Sequence, residues 1–344
     1  MTIGEAFTQK DLDKSVLIGY YGGGNYGDEL LMEVLSNMFA KHNLKDISIS
    51  YQTPETFSKF HHGFGYSLIP LANKVRLVKT IFKKKNIIIG GGGLWGMDVN
   101  FNIFLLSVLL FFSRWILGKK VYLFGVGYYN STTKLGHISA FLASKAANLI
   151  VSRDEEARGN FAKFNKNTHL DTDIAWYLRD LDLSAYQKDV EQLEKVLTIK
   201  PNTLFVTLRR FEKNNKNNYK NVIEQLVATE TKRPLIVAIM EPASVDPQGY
   251  KMLQEWQQAH PNIQIIDFSF NPLALYLLFK QHHQDLTVIS PQFHVIITAY
   301  LNGIKFFPLA YDNKVRELIK IIAPEGEIVD IKTIDRQKVA AFIR

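Results

Sequence analysis

The chain contains no cysteine in 344 residues. That absence excludes disulfides, thiolate nucleophiles and cysteine-ligated zinc or iron–sulfur centres. It also lacks a long hydrophobic run. The longest candidate, Ile103 to Phe112, is stopped by Ser113-Arg114, whereas a membrane-spanning helix needs about 20 apolar residues. The first fifteen residues hold no apolar stretch of the secretory type, which predicts a cytoplasmic location. What remains is the composition of a folded globule: with 47% hydrophobic and 22% charged residues, the chain is too apolar to be disordered. Its length predicts two domains, at roughly 100–200 residues each. The net charge of +8 suits nucleic acid, an anionic membrane surface or an anionic substrate and does not choose among them.

Short apolar runs alternate with longer amphipathic stretches, the pattern of βαβ units around parallel sheets. The first series has expected strands at 16–19, 46–49, 87–90, 121–124 and 149–151, and the second at 204–207, 235–238, 263–266, 287–289 and 305–308. The predicted fold is therefore α/β, with two doubly wound, Rossmann-like domains facing a cleft. The expected boundaries are an N-terminal domain over 1–180, a connecting segment over 181–202 ending at the turn Lys200-Pro201-Asn202, and a C-terminal domain over 203–344. A helix apolar on every side is ordinarily buried, so residues 103–112 are expected in a core. The alternative is attachment to a membrane surface, with Lys83-Lys84-Lys85 and Lys119-Lys120 as flanking cations.

In open α/β sheets, ligands bind beyond the carboxyl ends of the strands, and three such ends in the first domain are rich in glycine. The first, Gly19-Tyr20-Tyr21-Gly22-Gly23-Gly24-Asn25-Tyr26-Gly27-Asp28-Glu29, fits GxGxxG at Gly22, Gly24 and Gly27. A dinucleotide is disfavoured there. Asp28 and Glu29 already complement the helix dipole and would repel a pyrophosphate, and the second strand ends without a carboxylate for a ribose. The structural alternative is a glycine turn capped by Asp28. Gly90-Gly91-Gly92-Gly93 and Gly125-Val126-Gly127 follow two further strands, and recurrence of bare backbone argues for a binding floor. Arg153, after the fifth strand, can face an anion or pair with a neighbouring acid. Arg209 and Arg210, after the first strand of the second domain, suit phosphate or carboxylate recognition. His294 follows a strand and opens a helix, where the positive helix end favours a neutral ring able to accept a proton; a structural histidine is the alternative. Lys314 supplies another cation after a later strand. No metal site is expected, since His61-His62 and His282-His283 lie in polar stretches without acids at ligand spacing. Nucleic acid is not an expected partner, because aromatics and lysines are not interleaved.

These motifs, in order, resemble the polysaccharide pyruvyl transferase family. The resemblance rests on Gly19-Tyr20-Tyr21, Asn25 to Glu29, Gly90 to Gly93, Gly125-Val126-Gly127, Val151 to Asp154, Ser290 to His294, Ala299 to Gly303 and Tyr311 to Lys314. It implies a GT-B-like pair of Rossmann domains and transfer of pyruvate from phosphoenolpyruvate onto a sugar as a ketal, with no other cofactor. Phosphoenolpyruvate would then be the donor, held by Arg209, Arg210, Arg153, Lys314 and Gln292. The acceptor, a saccharide or lipid-linked saccharide of the cell surface, would meet Asn25, Gly91, Gly92, Gly93 and Gly127. His294 corresponds to the motif histidine and is the expected acid/base, with Asp28 or Glu29 orienting or deprotonating sugar hydroxyls. One departure stands out: the family commonly carries arginine where this chain has Gln292. The alternatives are a GT-B glycosyltransferase using a sugar nucleotide and a catalytically lapsed glycan-binding homologue.

Overall fold

A computed structural model describes the chain apart from residues 54–64, 96–99, 130–132, 209–232, 243–246, 261–262, 311–312, 324–328, 331–338, 340 and 343–344. The chain divides into two compact units. The first comprises Met1–Gly23 and Asp28–Leu181, and the second comprises Gly24–Gly27 and Asp182–Arg344.

The first unit carries seven parallel strands: β1 (Ser15–Ile18), β2 (Ser48–Tyr51), β3 (Ser67–Pro70), β4 (Asn86–Gly90), β5 (Lys120–Val126), β6 (Leu149–Ser152) and β7 (Thr168–Leu170), in the order β3-β2-β1-β4-β5-β6-β7. Its helices include α1 (Ile3–Gln9), α2 (Tyr26–Lys41), α3 (Lys74–Lys83), α4 (Phe101–Trp115), α5 (Lys134–Ala146) and α6 (Glu155–Ala162). β1, β2 and β4 are buried along their whole length, and β5 is buried beyond Lys120. Burial on both faces is why their sequences read as continuous apolar runs. The edge strands β3 and β7 are only partly buried, so they lack that signal and were not expected. β2 starts later than the apolar pattern suggests, because Asp46 takes a left-handed backbone (φ 56°) and binds Lys84 at 2.5 Å.

The second unit carries β8 (Thr203–Leu208), β9 (Leu235–Ile239), β10 (Ile263–Asp267), β11 (Leu286–Ser290), β12 (Lys305–Ala310) and β13 (Val329–Asp330), in the parallel order β10-β9-β8-β11-β12-β13. With them lie α7 (Gln187–Val196), α8 (Pro247–Ala259), α9 (Pro272–Gln281), α10 (Phe293–Leu301) and α11 (Asn313–Ile322). Much of the segment expected as a connector is part of this unit. α7 packs on α9, Gln281 donates to Gln187 at 2.9 Å, and Val190 and Leu193 are buried.

Only one face of the helix α4 occupies the core position expected of it, with Leu110 in the core and Ile103, Leu106, Leu109 and Phe111 packed against it. Its buried side chains are Ser107, Leu110 and Ser113, whereas Phe101, Leu105, Val108, Phe112 and Trp115 are exposed. Its inner face is small because α5 meets it with Gly136, Ser139, Ala140 and Ala143, and because Trp95 beneath donates its indole N–H to Ser107 at 3.0 Å. Among the described residues, no helix is long and apolar enough to cross a membrane.

Candidate active site

Both strand orders reverse direction at an identifiable place, between β1 and β4 in the first unit and between β8 and β11 in the second. Such switch points open a crevice at the carboxyl ends of the flanking strands, which is where doubly wound sheets bind ligands. The glycine-rich segments after β1 and β4 lie at the first reversal. Ser290, Gln292 and His294 lie at the second.

At the first switch point, Tyr21 folds back beneath its own loop. Its hydroxyl donates to the Gly90 carbonyl at 2.6 Å, and burial, with Asp28 and Glu29 nearby, holds its pKa well above the ordinary tyrosine value. A Cβ at Gly19 would sit 2.3 Å from the Tyr21 ring, and one at Gly90 would sit 2.4 Å from Leu35 and 2.5 Å from the Tyr21 hydroxyl. Crowding by the protein itself therefore requires glycine at both. Gly91 has φ +73° and faces Leu31, and Gly125 has φ +62° and faces Ile174. Gly92 differs: its φ is +85°, and among the described residues nothing lies within 4 Å of where a Cβ would stand. It marks the open part of the run. Glu29 is fully buried and accepts the Gly22 N–H at 3.0 Å, which makes it a clamp on the loop. The helix cap is Asn25 rather than Asp28, with its Oδ1 accepting the Gly27 N–H at 3.0 Å; Asp28 is partly buried.

Arg153 follows β6 and is buried. Its guanidinium donates to Asp173 at 3.3 Å and to the Tyr129 hydroxyl at 2.5 Å, and Asp154 lies 3.6 Å from Nε. Burial opposes its charge, but Tyr129, Asp173 and Asp154 outweigh it and raise the pKa further. A Cβ at Gly127 would lie 3.0 Å from Arg153, and one at Gly93 would lie 3.0 Å from Tyr129. These two glycines make room for the Arg153–Tyr129 pair. Asp173 also accepts the Ala175 N–H at 3.0 Å, while Asp154 caps α6 by accepting from Ala157 at 2.7 Å.

At the second switch point, a polar relay ties β8 to β11. Thr207 and Ser290 share a hydrogen bond of 2.6 Å, Thr207 also donates to the Gln292 side-chain oxygen, and the Gln292 amide donates to the Leu208 carbonyl at 2.6 Å. The side chain of Gln292 thus fixes the end of β8 and the start of α10. His294, partly buried in the first turn of α10, lies over Gly27, whose Cβ would fall 2.0 Å from Nδ1. Only glycine admits the imidazole there. The same short segment anchors Tyr26, which is buried, reaches Thr298 at 3.1 Å and meets Phe268 edge-on at 5.4 Å. Thr298 in turn donates to the His294 carbonyl at 2.8 Å. Lys314 is partly buried in the first turn of α11. Arg209, Arg210, Tyr311 and Asp312 lie outside the described residues. In sequence, Arg209, His294 and Lys314 follow β8, β11 and β12, which are neighbours in the sheet. Among the described residues, no group of three or more His, Asp or Glu could hold a metal ion.

A sequence model described as Polysaccharide pyruvyl transferase matches residues 25–313. The chain belongs to that family. The family span therefore takes in Asn25 to Glu29, Gly90 to Gly93 and Ser290 to His294, and starts just after Gly19 to Gly24. Comparison with curated protein sequences returned no match. Among solved structures, UDP-GlcNAc 2-epimerase from Methanocaldococcus jannaschii is similar at a TM-score of 0.64 and 13% identity, over 96% of this chain and 91% of that one. The Neisseria meningitidis UDP-GlcNAc 2-epimerase bound to UDP-GlcNAc is similar at 0.61 and 15%, over 95% and 90%. At such identity the likeness shows the fold alone: GT-B-like, with two Rossmann-like units.

For this pyruvyl transferase family member, sequence reasoning missed Tyr21, Tyr129, Asp173 and Thr207. Each acts through a partner remote in sequence, which local spacing does not reveal. The weak signal available was position: Tyr21 and Tyr129 each stand two residues after a glycine that ends or follows a strand.

Proposed function

We propose that this protein transfers the pyruvyl group of phosphoenolpyruvate to two hydroxyls of a sugar, forming a ketal and releasing inorganic phosphate. The observation that carries the reading is His294. Within a chain of this family, it lies in the first turn of the helix leaving the second switch point, on backbone that glycine at position 27 keeps bare. In the proposed reaction an acid protonates C3 of the enol, which becomes a methyl group and leaves an oxocarbenium-like C2. One sugar hydroxyl adds to C2 and gives up its proton. The C2–O bond to phosphate then breaks, and the second hydroxyl closes the ketal as its proton leaves with phosphate. Two hydroxyl protons are thereby accounted for, one on the methyl and one on phosphate.

His294 is the proposed acid/base, a role that contributes about 10²–10⁴-fold. Arg209, Arg210 and Lys314 are the proposed cations for the donor's phosphate and carboxylate, groups that suit arginine forks and helix N-termini. Asp28 and Asn25 remain the proposed acceptor-side groups, with Gly92 as the open floor. Glu29, Gly127 and Arg153 serve the proposed site indirectly, by shaping loops. The acceptor class is a cell-surface saccharide, free or lipid-linked.

Two measurements test this. Phosphoenolpyruvate should raise the unfolding temperature, since a ligand at 100 times its Kd adds about 2.7 kcal/mol of apparent stability. UDP, GDP and NAD should not. His294→Ala should lower phosphate release from phosphoenolpyruvate plus acceptor by about 10²-fold or more, with the fold intact. Stabilisation by UDP-GlcNAc but not by phosphoenolpyruvate overturns the reading in favour of a sugar-nucleotide enzyme.

A further inference from the structure

The outer face of α4 is apolar along its full length. Phe101, Leu105, Val108, Phe112 and Trp115 recur at alternating steps of four and three residues and so share one side of the helix, with Phe101 63% and Trp115 58% exposed. Ile138 and Phe141 of α5, also exposed, extend the patch across the helix packed beside it. The core accounts for the opposite side of the helix, where Leu110 is buried and Ile103, Leu106 and Leu109 pack against it, and not for this one. A contiguous patch of this kind ordinarily marks an interaction surface.

The charge around it identifies the partner. From Val99 to Ser152 the chain has no acidic residue, while Arg114, Lys119, Lys120, Lys134 and Lys145 all lie in that span. At the C-terminal end of α4 a groove of about 520 Å³ is lined by Arg114, Lys145, Lys163 and Lys166 together with Trp115 and Phe164, and none of its lining residues is acidic. Arg114 lies 5.3 Å over the Trp115 ring, and Lys145 lies 5.9 Å over Phe141. Aromatics flanked by cations at the rim of an apolar face are the arrangement that seats at the headgroup level of a bilayer.

We propose that the α4–α5 face is a membrane-docking surface that lies on an anionic bilayer, with apolar side chains entering the acyl boundary and the Arg114–Lys145–Lys163–Lys166 groove holding anionic headgroups. At 15 residues, α4 is about 22 Å long, short of the roughly 30 Å hydrocarbon thickness, so it rests on the membrane and does not cross it. A second copy of the chain is a poorer occupant, because self-pairing would bring the cationic rims together. This inference does not depend on the proposed reaction.

Vesicle flotation of the full chain tests it. The protein floats with vesicles of mixed phosphatidylglycerol and phosphatidylcholine, not with phosphatidylcholine alone, and added salt weakens the association. Leu105→Glu with Phe112→Glu abolishes flotation while leaving the unfolding midpoint in place, since both side chains are exposed. Lys145→Gln with Lys166→Gln weakens partitioning about thirtyfold, at about fivefold for each cation. Tryptophan fluorescence is quenched by brominated lipid in the wild type, and that quenching is lost in Trp115→Phe and in the double glutamate variant. The proposal is overturned if anionic vesicles fail to bind the protein, if the double glutamate variant binds them as well as wild type, or if that variant breaks a lipid-free dimer instead.

Discussion

The two switch points solve the same geometric problem with different materials. In the first unit the crevice is backbone: glycines after β1 and β4 are held from below by Tyr21, Leu31 and Leu35, and Arg153 is locked in place by Asp173 and Tyr129. In the second unit the crevice is side chain, a Thr207–Ser290–Gln292 relay with His294 on the next helical turn. A backbone floor presents shape and N–H groups with little conformational freedom. A side-chain wall can present a titratable ring. The difference gives the two regions different sensitivities to substitution.

The contrast can be broken most forcefully at Asp173. Its loss leaves the buried Arg153 guanidinium with Asp154 alone, 3.6 Å from Nε, so Asp173→Ala should destabilise the protein by up to about 3–5 kcal/mol in urea titration. A cost near zero would mean that Arg153 is not held as an internal ion pair. Next in size is Gly19→Ala, which drives a methyl group into the Tyr21 ring and should cost about 1–3 kcal/mol. In a Tyr21→Ala background the penalty should shrink, a coupling that a double-mutant cycle measures. In the second unit, Gln292→Ala leaves the Leu208 carbonyl without the Gln292 donor and should cost about 1–2 kcal/mol; in the proposed reaction it should lower turnover by more than it weakens phosphoenolpyruvate binding, because the start of α10 loosens. The gentlest test is alkaline. Burial pushes Tyr66 and Tyr177 up to about 12, aided by Glu33 and Asp171 respectively. A phenol that holds its proton more tightly when folded contributes stability that is complete below about pH 10 and lost as pH rises toward 12. Tyr177→Phe should flatten that loss in a pH series of unfolding midpoints.

The central strands were legible because both faces are buried, so Ile87-Ile88-Ile89 and Leu204-Phe205-Val206 could scarcely be anything else. The rims were not, since β3 and β7 are partly exposed and mix polar with apolar residues. His294 was readable from its place between a strand and a helix. Gly90 and Gly127 were read as bare backbone facing a ligand, yet the structure fills the space beside each with Leu35 and Tyr21 or with Arg153. A glycine states that room is needed and not who occupies it. The exposure of the outer face of α4 was equally hidden, because a run apolar on every side does not disclose which side the core leaves uncovered.

Gln292 both donates, to Leu208, and accepts, from Thr207. Arginine, which the family resemblance leads one to expect at this position, can only donate. With arginine there, Thr207 would turn its proton toward Ser290 instead. Positions 207 and 292 are thus coupled by contact: the threonine hydroxyl has two acceptors to choose from only while residue 292 carries an accepting oxygen, and a substitution at either position disturbs the other.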